Sequence, residues 1–564
     1  MNQNPAGPFG AGMNGVEKKV GGMKVPAAIA EILKREGVDI LFGYPRNAVL
    51  EAAAEADIRT VIVRQERTGL HMADGYSRMT RGKKMGVFAM QHGPGTENAY
   101  GGVAQAYSES IPLLVLPAGY ARRLAHVPDN YNATVQMAGV AKSAEPINLP
   151  AETSNILRRA FTQLRNGRPR PALVEIPYDV NNEDVPEPLV YEPVVRTRFA
   201  PAPDAIAAAA KALVEAKRPV IYAGQGVHWA EAYDELKALA ELLAAPVCTS
   251  LEGKSTIDET HPLALGSGGA AIPKTVRHFL NASDVIFGAG CSFSQTAFGV
   301  SMPDGKVIIH NTLDETDLNK NYPTRYALLG DAKLTLGMLI EACKALLKSP
   351  RDASSIAAEI KAVEAEWMKE WLPLLTSNET PLSPYRVLWD LQHTVDKSNT
   401  IITHDAGSPR DQLSPFWKTT APLSYIGWGK TTQLGYGLGL AMGAKLACPD
   451  KLCINVWGDA AIGFTGMDFE TAAREKAPIL SILLNNSSMA IELNVMPVAT
   501  QKYRSTDISG NYADFAKALG GYGERVTRPE DIIPAIKRGI AETEAGTPAL
   551  LEFMTGQETR ASRL

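Results

Sequence analysis

The feature that most constrains this chain is a rhythm. Short apolar runs alternate with amphipathic stretches along nearly all of its 564 residues. In the first third, "DILFGYP", "TVIVRQ", "MGVFAM", "IPLLVLPAG" and "PALVEIP" read as buried strands, with helical stretches between most of them. Strands apolar on both faces need cover on both faces, and interleaved helices supply it when the strands run parallel. The expectation is an α/β protein of three consecutive domains, each with a central parallel sheet.

Local composition sets the boundaries. Residues 1–23 are Gly/Pro-rich without an apolar core, so they read as a flexible lead and not as a signal peptide. A first domain is expected over 24–190, followed by the proline-rich "NNEDVPEPLVYEPVVRTRFAPAP". A second, over 200–345, carries "RPVIYAG", "APVCTS", "DVIFGAG" and "KVIIHN"; its "GQGVHWA" is a weak dinucleotide-binding signal or a tight strand–helix turn. A charged, helical linker over 346–382 leads to a third domain over 383–564, with "TIITHDAG", "KLCINVWGDA", "LSILLNN" and "ALLEFM". A net charge of −4 gives no reason to expect nucleic acid or an anionic membrane surface, and no apolar run is long enough to span a bilayer. Five scattered cysteines without ligand spacing suit a reducing, cytoplasmic setting.

The chemistry concentrates in "WGDAAIGFTGMDFETAAREKAPILSILLNNSS". One strand ends at Gly458–Asp459, a helix crosses over, and the next strand ends at Asn485–Asn486. Ligands bind at the carboxyl ends of strands in open parallel sheets, so Asp459 and Asn486 share an edge. A carboxylate and an amide oxygen are hard ligands suited to Mg²⁺, which completes its shell with phosphate oxygens and water. Gly458 leaves room for a ligand, and the amides of Ala460 and Ala461 can approach phosphate.

This G-D turn followed by an N-N pair resembles the metal–diphosphate motif of thiamine-diphosphate (ThDP) enzymes. Those enzymes usually carry Gly or Ser where this chain has Ala460. The resemblance implies that Asp459, the Asn486 side chain and the Ser488 carbonyl hold the metal. "VRQERTGLHMADGYSRMTRG" resembles the segment of the activating glutamate, which would be Glu66; its carboxyl would bond the cofactor's pyrimidine and promote loss of the reactive ring proton. "GKTTQLGYGLGLAMGAKLA" resembles the segment that bends the cofactor, with Leu434 as wedge and the Thr432 carbonyl facing the aminopyrimidine. "HDAGS" supplies Gly407 and Ser408 as the second diphosphate loop. The resemblance runs from about Lys24 to Met554. It implies a pyrimidine-binding domain and a diphosphate-binding domain flanking a Rossmann-like central one, with ThDP and Mg²⁺ as cofactors. It also implies a homodimer at least, commonly a homotetramer, because the cofactor lies between two subunits.

Within that superfamily, "ADGYSR", "GPGTENAYGGVAQAY" and "NYADFAKALG" resemble acetolactate synthase. The stretch Ala490-Ile491-Glu492 departs from it, and Val495 stands near the position of the tryptophan that selects the acceptor. Ile-Glu after the metal asparagine resembles 2-hydroxyacyl-CoA lyases, related to oxalyl-CoA decarboxylase. On that resemblance the leading expectation is reversible cleavage of 2-hydroxyacyl-CoA to formyl-CoA and an aldehyde or ketone. Glu492 would be the proton carrier, desolvated by Met489 and Ile491. The alternatives are an acetolactate-synthase-like carboligase and a 2-ketoacid or oxalyl-CoA decarboxylase. The partner is then a small acyl-CoA, with Arg560 and Arg563 of a short C-terminal flap meeting its phosphates. Asn47, Gln91, His92 and Gln136 are further substrate-contact candidates. ADP or another nucleotide could occupy the central domain. FAD is not favoured, because "FGAGCSFSQ" lacks the arginine that many nucleotide-binding relatives carry.

Overall fold

The computed structural model describes residues 22–563. Nearly all of the expected N-terminal lead lies outside the described residues. Eighteen described strands form three parallel six-stranded sheets.

The first sheet contains β1 (Ile40–Gly43), β2 (Arg59–Ile62), β3 (Gly86–Met90), β4 (Leu113–Gly119), β5 (Ser143–Pro146) and β6 (Ala172–Pro177), in the order β2-β1-β3-β4-β6-β5. The second contains β7 (Pro219–Ala223), β8 (Val247–Thr249), β9 (Ala264–Ser267), β10 (Val285–Ala289), β11 (Val307–Thr312) and β12 (Tyr326–Leu329), in the order β12-β11-β10-β7-β8-β9. That is the doubly wound dinucleotide order, whose switch point falls between β7 and β10. The third contains β13 (Thr400–His404), β14 (Tyr425–Ile426), β15 (Leu452–Gly458), β16 (Leu480–Asn485), β17 (Tyr522–Val526) and β18 (Ala549–Met554), in the order β14-β13-β15-β16-β18-β17. Numbered within each sheet, the first and third share one wiring, 2-1-3-4-6-5.

These two like-wired domains dock through equivalent helices, each following the second strand of its sheet: Glu66–Met79 and Tyr436–Ala447. Glycine makes the approach possible. A Cβ at Gly443 would lie 2.1 Å from the Met72 carbonyl oxygen, and one at Gly75 would lie 2.4 Å from that of Leu440. Buried polar groups fix the register. Arg78 pairs with Asp74 at 2.6 Å and donates to the Gly427 carbonyl; Tyr436 donates to Asp74. His71 Nε2 lies 2.9 Å from Gln433 Oε1.

The 346–382 segment is mostly one helix, Ser354–Leu375. Trp367 and Trp371 anchor it in an aromatic cluster, Trp367 stacking on Phe416 of the third domain at 4.8 Å.

Candidate active site

The carboxyl edge of the third sheet holds the chemistry. β15 passes directly into the helix Asp459–Thr465, so Asp459 opens that helix. Its carboxylate Oδ1 accepts from the Ala460 amide at 3.0 Å and Oδ2 from the Ser488 amide at 3.2 Å. Asn486 Oδ1 accepts from that same Ser488 amide at 3.0 Å. The two oxygens read from sequence as metal ligands therefore converge on one nitrogen. Ser487 takes a left-handed φ of +56° to aim that amide, a strained conformation of the kind found at functional sites. Burial pushes the Asp459 carboxyl up despite these amides, so the site is poor in positive charge and a cation would relieve it.

A cavity enclosing about 650 Å³ opens over this edge. Gly407 and Ser408 form one wall, Gly458 to Ala461 the floor, and Asn486, Ser488, Ile491 and Glu492 the opposite wall; Leu434 lines it as well. Thr432 is half-buried and does not line it. The cavity fits a diphosphate with its metal. A Cβ at Gly458 would meet nothing closer than 3.8 Å, so the turn has space for a ligand. Ser488 Oγ is buried without a partner. Among the described residues no trio of His, Cys, Asp and Glu could hold a metal by itself, so an ion here takes Asp459 plus neutral and ligand oxygens.

Asp405 was not anticipated. It is fully buried after β13, where its carboxylate accepts from the amides of Ala406, Gly435 and Gly437 at 2.8–2.9 Å. It thereby pins the Leu434 segment beside the cavity. Desolvation outweighs the three amides and raises its pKa to about 6. The "HDAG" acid directly after an apolar strand was its sequence signal.

Glu66 is elsewhere. It is the first residue of its helix, and it is 5% exposed. Asn98 donates to it at 3.3 Å; burial pushes its carboxyl up, and nearby Asp468 pushes the same way. No residue of the first domain lines the third-domain cavity of the same chain. One chain thus carries both halves of the anticipated machinery without joining them.

Several expectations are corrected. Asn47 is a structural residue: it donates to the carbonyls of Met90 and Leu116 and caps the helix Ala48–Glu55 through the Val49 amide. Its three hydrogen bonds use both amide hydrogens, and the side chain is buried. Arg560 lies over the Trp371 ring at 4.5 Å, and Arg563 pairs with the buried Asp411 at 2.8 Å. The tail is docked, not a free flap: Ser562 Oγ accepts from Trp367 Nε1 and donates to the Ile272 carbonyl, and the Ser562 carbonyl accepts from the Ile272 amide. Arg563 is ion-paired yet largely exposed, and the exposed Arg560 guanidinium rests on the Trp371 face. Met489 and Ile491 are themselves about 40% exposed, so they do not desolvate Glu492, which is also exposed in the single chain. Gln91 is half-buried, its Cβ close to where a side chain at Gly95 would meet Glu66. His92 packs edge-on against Tyr120, with burial lowering its pKa, and Gln136 is exposed at the end of a short helix.

A second cleft, about 980 Å³, lies at the β7/β10 switch point, between Tyr222, Phe293, Arg168 and Lys430. Its "GQG" turn is closed: the Gly226 amide donates to the Gly290 carbonyl at 2.8 Å. Gly290 itself has φ +56° and packs against Gly226, so the two turns meet at the edge of the cleft that both line.

Comparison with known proteins gives the same partition. Three family models match in order: "Thiamine pyrophosphate enzyme, N-terminal TPP binding domain" over 23–141, the central domain over 206–339, and the C-terminal TPP binding domain over 405–553. The chain is 31% identical to a probable acetolactate synthase large subunit of Methanococcus aeolicus, covering 93% of this chain and 91% of that one. It is 30% identical to the corresponding protein of Methanocaldococcus jannaschii, over 94% and 92%. It is 29% identical to the acetolactate synthase large subunit of Corynebacterium glutamicum, over 99% and 90%.

Proposed function

The chain belongs to the thiamine-pyrophosphate enzymes of the acetolactate synthase/decarboxylase superfamily, and from that premise we propose that it is a carboligase of the acetolactate-synthase type. It would release the carboxyl carbon of a 2-ketoacid as CO₂ and join the remaining acyl unit to the carbonyl carbon of a second molecule. The observation that carries this reading is the similarity to acetolactate synthases across all three domains. It replaces acyl-CoA cleavage as the leading reading, since the relatives matched along the whole chain are acetolactate synthases.

ThDP and Mg²⁺ are the cofactors expected of the family; bound, the thiazolium ring accepts the electron pair released when the substrate's carbon–carbon bond breaks. The chain's residues do the rest. Asp459, Asn486 and the Ser488 carbonyl would hold Mg²⁺, and Gly407, Ser408 and the Ala460 and Ala461 amides would hold diphosphate. Leu434, fixed by Asp405, would set the cofactor's bend. Glu66, kept protonatable by burial, would hold a proton at the pyrimidine ring. Because Glu66 does not line the cavity of its own chain, the working site would take Glu66 from a second copy, making a homodimer the smallest active unit. Glu492, on the cavity wall, would give a proton to the acceptor's carbonyl oxygen. Ile491-Glu492 and the 75% exposed Val495 would make an acceptor pocket unlike that of acetolactate synthases.

A second reading rests on that same Glu492: 2-hydroxyacyl-CoA cleavage, with the carboxylate taking the 2-hydroxyl proton. Mass spectrometry of products decides between them, with pyruvate alone, pyruvate plus a second ketoacid or aldehyde, or a 2-hydroxyacyl-CoA, each with ThDP and Mg²⁺. A new carbon–carbon bond from pyruvate supports carboligation; formyl-CoA from the thioester, with no product from pyruvate, overturns it.

A further inference from the structure

A third cavity has no part in this chemistry. It encloses about 840 Å³ where the edge of the central sheet, the helix Ser354–Leu375 and the third domain meet. The size suits a small organic molecule, since ligand sites commonly enclose about 300–1,000 Å³. It shares no lining residue with the cofactor cavity.

Its walls are aromatic. Trp367, Trp389, Phe416 and Trp417 all line it. Trp367 and Trp417 are each 3% exposed, so their rings are held by the surrounding core.

Its charges are unequal. Lys254, 1% exposed, is held by both oxygens of Glu259 at 2.6 and 2.7 Å, and Glu259 also accepts from the Thr419 amide and hydroxyl. Lys418 pairs with Glu364. Those two lysines are neutralised. Lys397 also lines the cavity, yet among the described residues its ammonium has no hydrogen-bond or ion-pair partner. Burial and the Lys418 charge depress its pKa, while Glu259 and Asp258 oppose that shift. His393 lies on the rim, its Nδ1 taken by the Trp389 carbonyl at 2.7 Å. Among the described residues the cavity thus holds one cation without a hydrogen-bonded or ion-paired counterpart, together with an aromatic wall.

We propose that this interdomain cavity binds a small organic monocarboxylate with a flat apolar body, its carboxylate on Lys397 and its body against Trp389 and Trp417. A charge-assisted pair at a partly dehydrated lysine is stronger than one in water, and the tryptophans supply apolar area with rigid geometry. A neutral analogue lacks the first element, and acetate lacks the second.

Phenylacetate, 2-phenylethanol and acetate test this on the full chain with ThDP and Mg²⁺ bound, by calorimetry and by quenching of tryptophan fluorescence. Phenylacetate should saturate one site per chain, and the other two should each bind about tenfold or more weakly. Lys397→Gln and Trp389→Ala should each weaken phenylacetate by about tenfold, with unchanged thermal midpoints in both showing that the fold is intact. Glu66→Gln should leave phenylacetate affinity within about twofold. The proposal is overturned if phenylacetate does not saturate, if 2-phenylethanol binds as well, if both cavity variants bind normally, or if Glu66→Gln abolishes binding.

Discussion

Glu66 and Glu175 are both buried carboxyls of the first domain, and burial raises the pKa of each. Glu66 sits beside Asn98 at a helix start. Glu66→Gln should lower turnover by about 100-fold or more while ThDP still raises the thermal midpoint; full activity would remove Glu66 from the machinery. Glu175, on β6, is pushed up to about 7 by desolvation, opposed only by a backbone hydrogen bond from Ala133. Its folded pKa exceeds the unfolded value of 4.5, so the folded state binds the extra proton. Its contribution to stability is therefore fully present below the unfolded value and is lost as pH rises through the folded one. Glu175→Gln keeps the acceptor oxygen and removes the charge. Its thermal midpoint relative to wild type should climb between pH 5 and pH 8; a pH-independent difference would show that Glu175 ionises normally. Asn47 shows where residue-level reading fails. From sequence it was a substrate-contact candidate, but only the fold brings the Met90 and Leu116 carbonyls to its amide.

At the scale of elements, the helices Glu66–Met79 and Tyr436–Ala447 touch backbone to backbone. Gly443→Ala would set a methyl against the Met72 carbonyl oxygen, and should destabilise the chain by about 1–3 kcal/mol through forced separation of the helices. Gly337, within the helix Ala332–Leu346, has open space around its missing Cβ; Gly337→Ala should stabilise by about 0.5–1 kcal/mol. Thermal scanning of both variants checks the pair, and equal effects would refute the packing argument. Strand legibility follows the same physics. The central strands announce themselves because both faces are buried, as in β3 and β6. The strands outside the apolar runs named from the sequence, β5, β9, β12, β14 and β17, all lie at sheet edges. β5 is half-buried throughout and β14 is two residues long, so neither imposes a pattern on its sequence. The metal edge was legible because Asp459 and Asn486 end neighbouring strands joined by a single crossover, and the Ser487 turn between the ligands was not.

For the whole molecule, the separation of Glu66 from the third-domain cavity governs what an assembly can do. If each site draws Glu66 from one copy and Asp459 from the other, two inactive variants should rescue one another. Glu66→Gln and Asp459→Asn, mixed after dissociation and reassembly, should recover about a quarter of wild-type activity: half the dimers are hybrids, each with one intact site. No recovery in verified hybrids would mean that the site closes within one chain. Removing Mg²⁺ and ThDP should lower the thermal midpoint, because both favour the folded state by mass action, worth about 2.7 kcal/mol at a hundredfold excess over Kd; Asp459→Asn should blunt that difference.

The shared wiring of the first and third sheets bears on this last point. Two domains with one strand order meet helix to equivalent helix, so a single chain already contains an internal near-copy pairing of the sort that two chains make. The two domains divide the labour: one carries an acid at a helix start, and the other carries the cradle at its sheet edge. A change that forces these two helices apart therefore acts on the acid-bearing half and the cradle-bearing half together.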